Sequence, residues 1–125
     1  MITASVACLA LALYHEARGE PSEGQYAVGQ VILNRVDDSR YPNTICGVVY
    51  DDGEFSFVGS VGGIHNKKAY EEVLYVALDL VNRVEYDLGA THYHTTAVDP
   101  YWNEVFDYEA QVGSHVFYIN NTPWR

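Results

Sequence analysis

The sequence predicts an α+β domain, mainly helical, with a few short antiparallel strands. Three observations carry that prediction. Apolar residues recur at helical spacing in two early segments that are separated by Gly19-Glu20-Pro21-Ser22. A third amphipathic stripe runs from Lys67 to Arg83. Beyond it the chain changes to short β-branched and aromatic runs punctuated by turn residues. At 125 residues the chain is long enough for a single core and too short for two. No repeat, low-complexity tract or linker divides it, so residues 1–125 read as one domain.

Thr3 or Ser5 is placed to cap the first helix, which runs to about Arg18. Val6, Leu9, Ala10, Leu13 and Ala17 share one face of it, and the neighbouring alanines and leucines widen that face towards burial on most sides. Gly19 stands where a left-handed residue ends a helix, and Pro21 blocks continuation. Ser22 and Gln25 have the spacing of a capping box, with Glu23 favourable in the first turn. The second helix carries Ala27, Val28, Val31, Ile32 and Val36 inward and ends near Asp37-Asp38.

Residues 37–53 read as loop, with a hairpin-type Asp52-Gly53 and a short apolar piece, Ile45 to Tyr50, able to form a further helical turn. Glu54 to Val58 predicts a short strand, and residues 59–66, with three glycines, a flexible loop. The third amphipathic helix spans Lys67 to Arg83 with Tyr70, Val73, Leu74, Ala77, Leu78 and Val81 on its stripe. Ala90 to Thr95 predicts a strand, Asp99-Pro100-Tyr101-Trp102 a turn, and Val116 to Ile119 a closing strand.

The formal net charge is -10 and the pI about 4.6. That excludes a sequence-independent nucleic-acid binder, which needs a basic surface to neutralise phosphates. The same acidity gives no long-range attraction to an anionic cell wall, so such a substrate would have to be held by local contacts. Eleven tyrosines and two tryptophans supply flat faces with polar tips, suited to sugars, to interfaces and to ordinary core packing. Cys8 and Cys46 make no disulfide framework. A bridge between them is geometrically possible, but free thiols of a cytosolic protein are the simpler reading. The apolar run 4–14 is not a signal peptide, since no Lys or Arg precedes Arg18, and it is too short to span a bilayer. It reads as a buried helix in a chain with no stable membrane insertion and no export signal of its own.

Glu16 is placed for acid work. It falls in the last turn of an apolar helix, at the negative end of the helix dipole, where field and desolvation both disfavour the ionised form. A general acid at a glycosidic oxygen needs a carboxyl adjusted in that direction. By spacing alone, the alternative is an exposed or capped helix-end glutamate. Glu20 follows four residues later, beyond the Gly19 break, which leaves its direction unfixed. His92 and His94 sit two apart, on one face of a strand, and with His115 or Asp99 would make a zinc site with an open position. His15-Glu16 lacks the second histidine of a helical metalloprotease site. No nucleophile elbow and no phosphate loop is present.

Several blocks together resemble the bacterial cell-wall hydrolase family of the spore cortex-lytic enzymes. They are residues 14–21 (Tyr-His-Glu-Ala-Arg-Gly-Glu-Pro), 23–25, 28–36 and 41–50, then Phe55-Ser56, residues 89–94 (Gly-Ala-Thr-His-Tyr-His), Pro100 with Trp102, and Gly113 with His115, Phe117 and Tyr118. They occur in the family's order and cover nearly the whole chain. The resemblance implies a small lysozyme-like α+β catalytic domain acting on the glycan strands of peptidoglycan, with the first glutamate of Glu-Ala-Arg-Gly-Glu, here Glu16, as the catalytic residue. The chemistry it implies is lytic transglycosylation between N-acetylmuramic acid and N-acetylglucosamine, with a 1,6-anhydro product and no second carboxylate.

Where family members commonly have Gln ahead of the Phe-Ser pair, this chain has Glu54, an acid able to serve as a second carboxylate for hydrolysis. Phe55, Ser56, Tyr93, His94, Trp102 and His115 are the expected sugar-holding residues of the cleft, and the expected enzyme is a monomer without cofactor. A phage endolysin made in the host cytoplasm, or a catalytic fragment of a longer wall protein, fits this organisation. Two rivals stand beside it: a zinc-dependent amidase or peptidase using His92, His94 and His115, and a non-catalytic glycan-binding module on the same fold.

Overall fold

The structure, a computed structural model, describes residues 2–51, 64–82 and 84–125. Of the two capping candidates Thr3 is the one used: its side chain accepts from the Val6 amide at 3.3 Å and opens helix α1 (Ala4–Ala17). The whole predicted face of α1 is buried, together with Ala12 and Tyr14. Arg18 leaves the helix in an extended conformation and Gly19 follows at φ 87°, the left-handed region that glycine enters without strain.

Helix α2 (Ser22–Val36) begins without the expected capping box. Pro21 is the N-cap and has no side-chain hydrogen bond to offer, so Ser22 is already helical. Gln25 instead reaches back to donate from Nε2 to the Glu20 carbonyl at 3.3 Å. The short apolar piece becomes α3 (Ile45–Val49), capped by the Thr44 hydroxyl on the Gly47 amide at 2.9 Å. Helix α4 (Lys67–Val81) is capped by Asn66 on the Ala69 amide at 3.0 Å. Its buried face is Val73, Val76, Ala77 and Leu80, whereas Tyr70, Leu74, Leu78 and Val81 lie at the margin, half-buried. The stripe is turned relative to the predicted one because α4 packs between α1 and α2 and buries the arc facing both.

Cys8 of α1 and Cys46 of α3 form a disulfide, with Cα atoms 5.3 Å apart. This corrects the expectation of free thiols: packing of α3 on α1 brings the two positions together, which no local pattern encodes. The core under these helices is built from Leu9, Leu13, Val28, Val31, Ile32, Val48, Val49 and Val73, closed from the sheet by Phe117.

The sheet comprises β1 (His92–Thr95), β2 (Asp107–Val112) and β3 (His115–Ile119), all antiparallel, in the order β1-β3-β2. A 3₁₀ helix, Tyr101–Glu104, stands where the Pro-containing turn was expected. Strand β2 was not anticipated. Its alternation is broken by a register shift between Tyr108 and Ala110, and none of its residues is buried, so no period-2 apolar signal marks it. Gly113, at φ 61°, turns β2 into β3. Pairing sets the two faces of the sheet. His92 opposite Tyr118 and His94 opposite Val116 point one way; Tyr93 opposite Phe117 and Thr95 opposite His115 point the other, where Phe117 and Tyr93 meet the core and Thr95 at the strand end is exposed. The predicted strand from Glu54 to Val58, the Asp52-Gly53 turn and the Arg83 helix end lie outside the described residues. Among the described residues no helix is long and apolar enough to cross a membrane.

Candidate active site

Glu16 is half-buried in the last turn of α1, and its carboxyl has no hydrogen-bond partner among the described residues. Burial pushes that carboxyl above the ordinary carboxylate range, and the positive charge of Arg35 offsets part of the rise. A protonated carboxyl with free lone pairs at a helix end can donate to an incoming oxygen and later take a proton back.

The helix end that carries it is held from several sides. Two residues earlier, the fully buried Tyr14 accepts at its hydroxyl from the His65 and Asn66 amides, both at 3.0 Å, and from Arg18. The Arg18 guanidinium lies over the Tyr14 ring, 4.4 Å from its centroid. The start of α4 is thereby pinned to the end of α1. On α2, the buried Arg35 donates from Nε to the Thr91 carbonyl at 2.8 Å, and Asn34 donates from Nδ2 to the Leu88 and Ala90 carbonyls, both at 2.8 Å. The segment leading into β1 is thus tied to the same helix that places a cation near Glu16. Neither role of Asn34 and Arg35 was assigned from the sequence; two adjacent polar residues near the end of an apolar helix were the available signal.

Glu20, whose direction the sequence left open, reaches the β2–β3 turn. It accepts from the Ser114 amide at 3.0 Å and the Ser114 hydroxyl at 2.7 Å, and these bonds hold its carboxyl below the ordinary range. The buried His115 presents Nδ1 at 3.6 Å from Glu20 Oε1, and burial holds its pKa below the ordinary histidine value.

The expected cleft residues separate into groups. Tyr93 and His115 lie together on the inner face of the sheet, rings edge-on with centroids 5.0 Å apart. His94 and Trp102 lie together on the outer face. There His94 stacks on Tyr118 at 5.3 Å with Nε2 3.1 Å from its hydroxyl, and Trp102 stands edge-on to both. Phe106 and His92 complete this outer cluster, and burial chiefly pushes His92 down to about 4, so it is neutral at ordinary pH. Phe55, Ser56 and Glu54 lie outside the described residues.

The sheet register also bears on the zinc alternative. His115 projects from the face opposite His92 and His94, so the three rings do not converge, and among the described residues no group of three or more His, Cys, Asp or Glu side chains is placed to hold a metal. A separate cavity of about 240 Å³ opens between Ser5, Leu33, Ile45 and Leu80, near the other end of α1, and has none of the site residues in its walls.

Residues 19–118 match the family described as Cell Wall Hydrolase. The spore cortex-lytic enzyme of Oceanobacillus iheyensis is 38% identical over 113 residues, which are 87% of this chain and 39% of that protein. That of Bacillus subtilis is 37% identical over 114 residues, 87% of this chain and 35% of the relative. The chain therefore spans about two-fifths of the length of the curated relatives it matches. Among solved structures, the catalytic domain of the germination-specific lytic transglycosylase SleB from Bacillus anthracis superimposes with a TM-score of 0.75 at 28% identity, covering 91% of this chain and 93% of that one. The catalytic domain of the Bacillus cereus SleB protein gives a TM-score of 0.72 at 32% identity, covering 91% and 88%. The predicted α+β class, helices with a small antiparallel sheet, is the fold of these domains.

Proposed function

The chain belongs to the cell wall hydrolase family, and on that premise we propose that it cleaves peptidoglycan glycan strands between N-acetylmuramic acid and N-acetylglucosamine by lytic transglycosylation. Glu16 is the general acid and then the base. Its carboxyl gives a proton to the glycosidic oxygen as the C1–O bond breaks and N-acetylglucosamine leaves with a free 4-hydroxyl. The muramoyl 6-hydroxyl then closes on C1 and returns its proton to the Glu16 carboxylate, leaving a 1,6-anhydro end. One carboxyl is restored at the end of the cycle, so a second is not required, unlike in hydrolysis by paired carboxylates.

The observation that carries this reading is the half-buried, raised-pKa carboxyl of Glu16 without a hydrogen-bond partner among the described residues. Glu16 lies just ahead of the segment matched by the family, so its role rests on position and electrostatics. Likeness to a domain described as a lytic transglycosylase supports the product chemistry. Phe55, Ser56, Tyr93, His94 and Trp102 are the proposed sugar contacts; His115, expected among them, is buried and supports Tyr93 from the inner face, linked through Glu20 to the Glu16 segment. Glu54 is the proposed second carboxylate should the product be a reducing sugar. Action at the cell wall, outside the reducing cytosol, agrees with the Cys8–Cys46 disulfide.

Mass spectrometry of purified peptidoglycan digested with wild type and with Glu16→Gln tests the proposal. Wild type is expected to release anhydromuropeptides, and the variant to be slower by about 10²–10⁴-fold, the usual share of general acid–base catalysis. Reducing muramic ends would refute transglycosylation in favour of hydrolysis. Freed peptides on intact glycan, with activity lost to a chelator, would refute glycan cleavage altogether.

A further inference from the structure

In the four-residue connection between α1 and α2, Glu20 hydrogen-bonds the β2–β3 turn to the end of the Glu16 helix, with Pro21 beside the same turn. Glu20 is gripped at every polar group. Its amide donates to the Ala17 carbonyl at 3.1 Å, its own carbonyl accepts from Gln25, and its carboxylate takes both the amide and the hydroxyl of Ser114. Ser114 lies 94 residues away in sequence, so this contact fixes a long-range spacing rather than a local turn. The next residue, His115, is buried with Nδ1 lacking a hydrogen bond and facing Glu20 Oε1, and its ring meets Tyr93 edge-on.

We infer that Glu20 is a positioning residue for the Glu16 reaction: its carboxylate acts as a strut that sets the β2–β3 turn, and through it the sheet, against the end of the helix carrying the acid. The inference rests on Glu16 being that acid. Reacting groups tolerate little displacement, and a shift near 1 Å can cost about 10²-fold in rate. Removing the strut therefore shows in kcat, while KM, set by contacts spread along the glycan, changes little.

The test is steady-state turnover of a soluble peptidoglycan oligosaccharide by wild type, Glu20→Ala, Glu20→Asp, Glu20→Gln and Glu16→Gln, each confirmed folded by circular dichroism. Glu20→Ala is expected to lower kcat by about 10–100-fold with KM within about threefold. Glu20→Asp, which keeps the charge but is one methylene too short to reach Ser114, should fall in the same range and serves if the alanine variant does not fold. Glu20→Gln keeps the length and an acceptor for the Ser114 amide, so it should restore kcat to within about threefold of wild type. Wild-type kcat in both Glu20→Ala and Glu20→Asp would overturn the inference. So would a Glu20→Gln as slow as Glu20→Ala, since that would make Glu20 a proton-transfer group rather than a strut. An active Glu16→Gln would instead overturn the reading of the acid, and an inactive one beside an unaffected Glu20 series would overturn the strut alone.

Discussion

Gly113→Ala tests the contact between the β2–β3 turn and Glu20 through stability. Gly113 sits at φ 61°, and placing an L residue there costs about 1–2 kcal/mol. The new Cβ would also stand 2.5 Å from Glu20 Oε1 and 3.5 Å from Pro21 Cδ. Ordinary contact needs the carboxylate to retreat by roughly 1 Å, which takes its bonds to the Ser114 amide and hydroxyl, now 3.0 and 2.7 Å, beyond hydrogen-bonding range. Because Ser114 is exposed, we assign the pair about 1–2 kcal/mol, the low side for bonds to a charged group. The two contributions sum to about 2–4 kcal/mol, or a fall in Tm on the order of 10 °C for a domain of this size.

Urea and thermal unfolding of wild type, Gly113→Ala, Glu20→Ala and the double variant separate the contributions. In the Glu20→Ala background only the backbone cost of about 1–2 kcal/mol should remain, giving a coupling of about 1–2 kcal/mol between the sites. Equal costs in both backgrounds would show that the carboxylate is not what the added methyl meets. A cost below about 0.5 kcal/mol in wild type, the ordinary range for an unconstrained surface position, would refute the backbone argument as well.

Burial of Glu16 raises its folded-state pKa above that of the unfolded chain, so the folded state binds the extra proton between the two values and stability falls as pH rises through that window. Glu16→Gln should therefore be more stable than wild type at neutral pH and lose that advantage below the ordinary carboxylate pKa, as read from urea midpoints at the two extremes. Activity needs the protonated acid, so the alkaline limb of kcat marks this pKa. Arg35→Gln removes the nearby cation and should move the limb to higher pH; a shift the other way would exclude that coupling. Reducing the Cys8–Cys46 bond, which closes a sequence separation of 38, should cost about 2–4 kcal/mol, and dithiothreitol should then destabilise wild type but not Cys8→Ser/Cys46→Ser. An unchanged wild-type midpoint under dithiothreitol would mean that the bridge does not constrain the unfolded chain.

Local chemistry was enough for the helices. The apolar face of α1, the Thr3 cap, the Gly19-Pro21 stop and the short apolar piece at Ile45 are all interactions within a few residues, and each stands where its pattern placed it, whereas packing turned the stripe of α4. The upward push on the Glu16 carboxyl was legible in part: burial on an apolar helix can be read along the chain, whereas the Arg35 charge that offsets it comes from tertiary packing. Strand β2 was not, because a register shift and an exposed surface erase the alternation that would reveal it. The capping box failed because Pro21, ahead of Ser22, took the cap position. Only the tertiary structure could decide that Cys8 meets Cys46, that Glu20 meets Ser114, and that His115 faces away from His92 and His94. Each of these depends on how helices pack or strands pair across tens of residues, where a one-residue change in register moves a side chain to the opposite face.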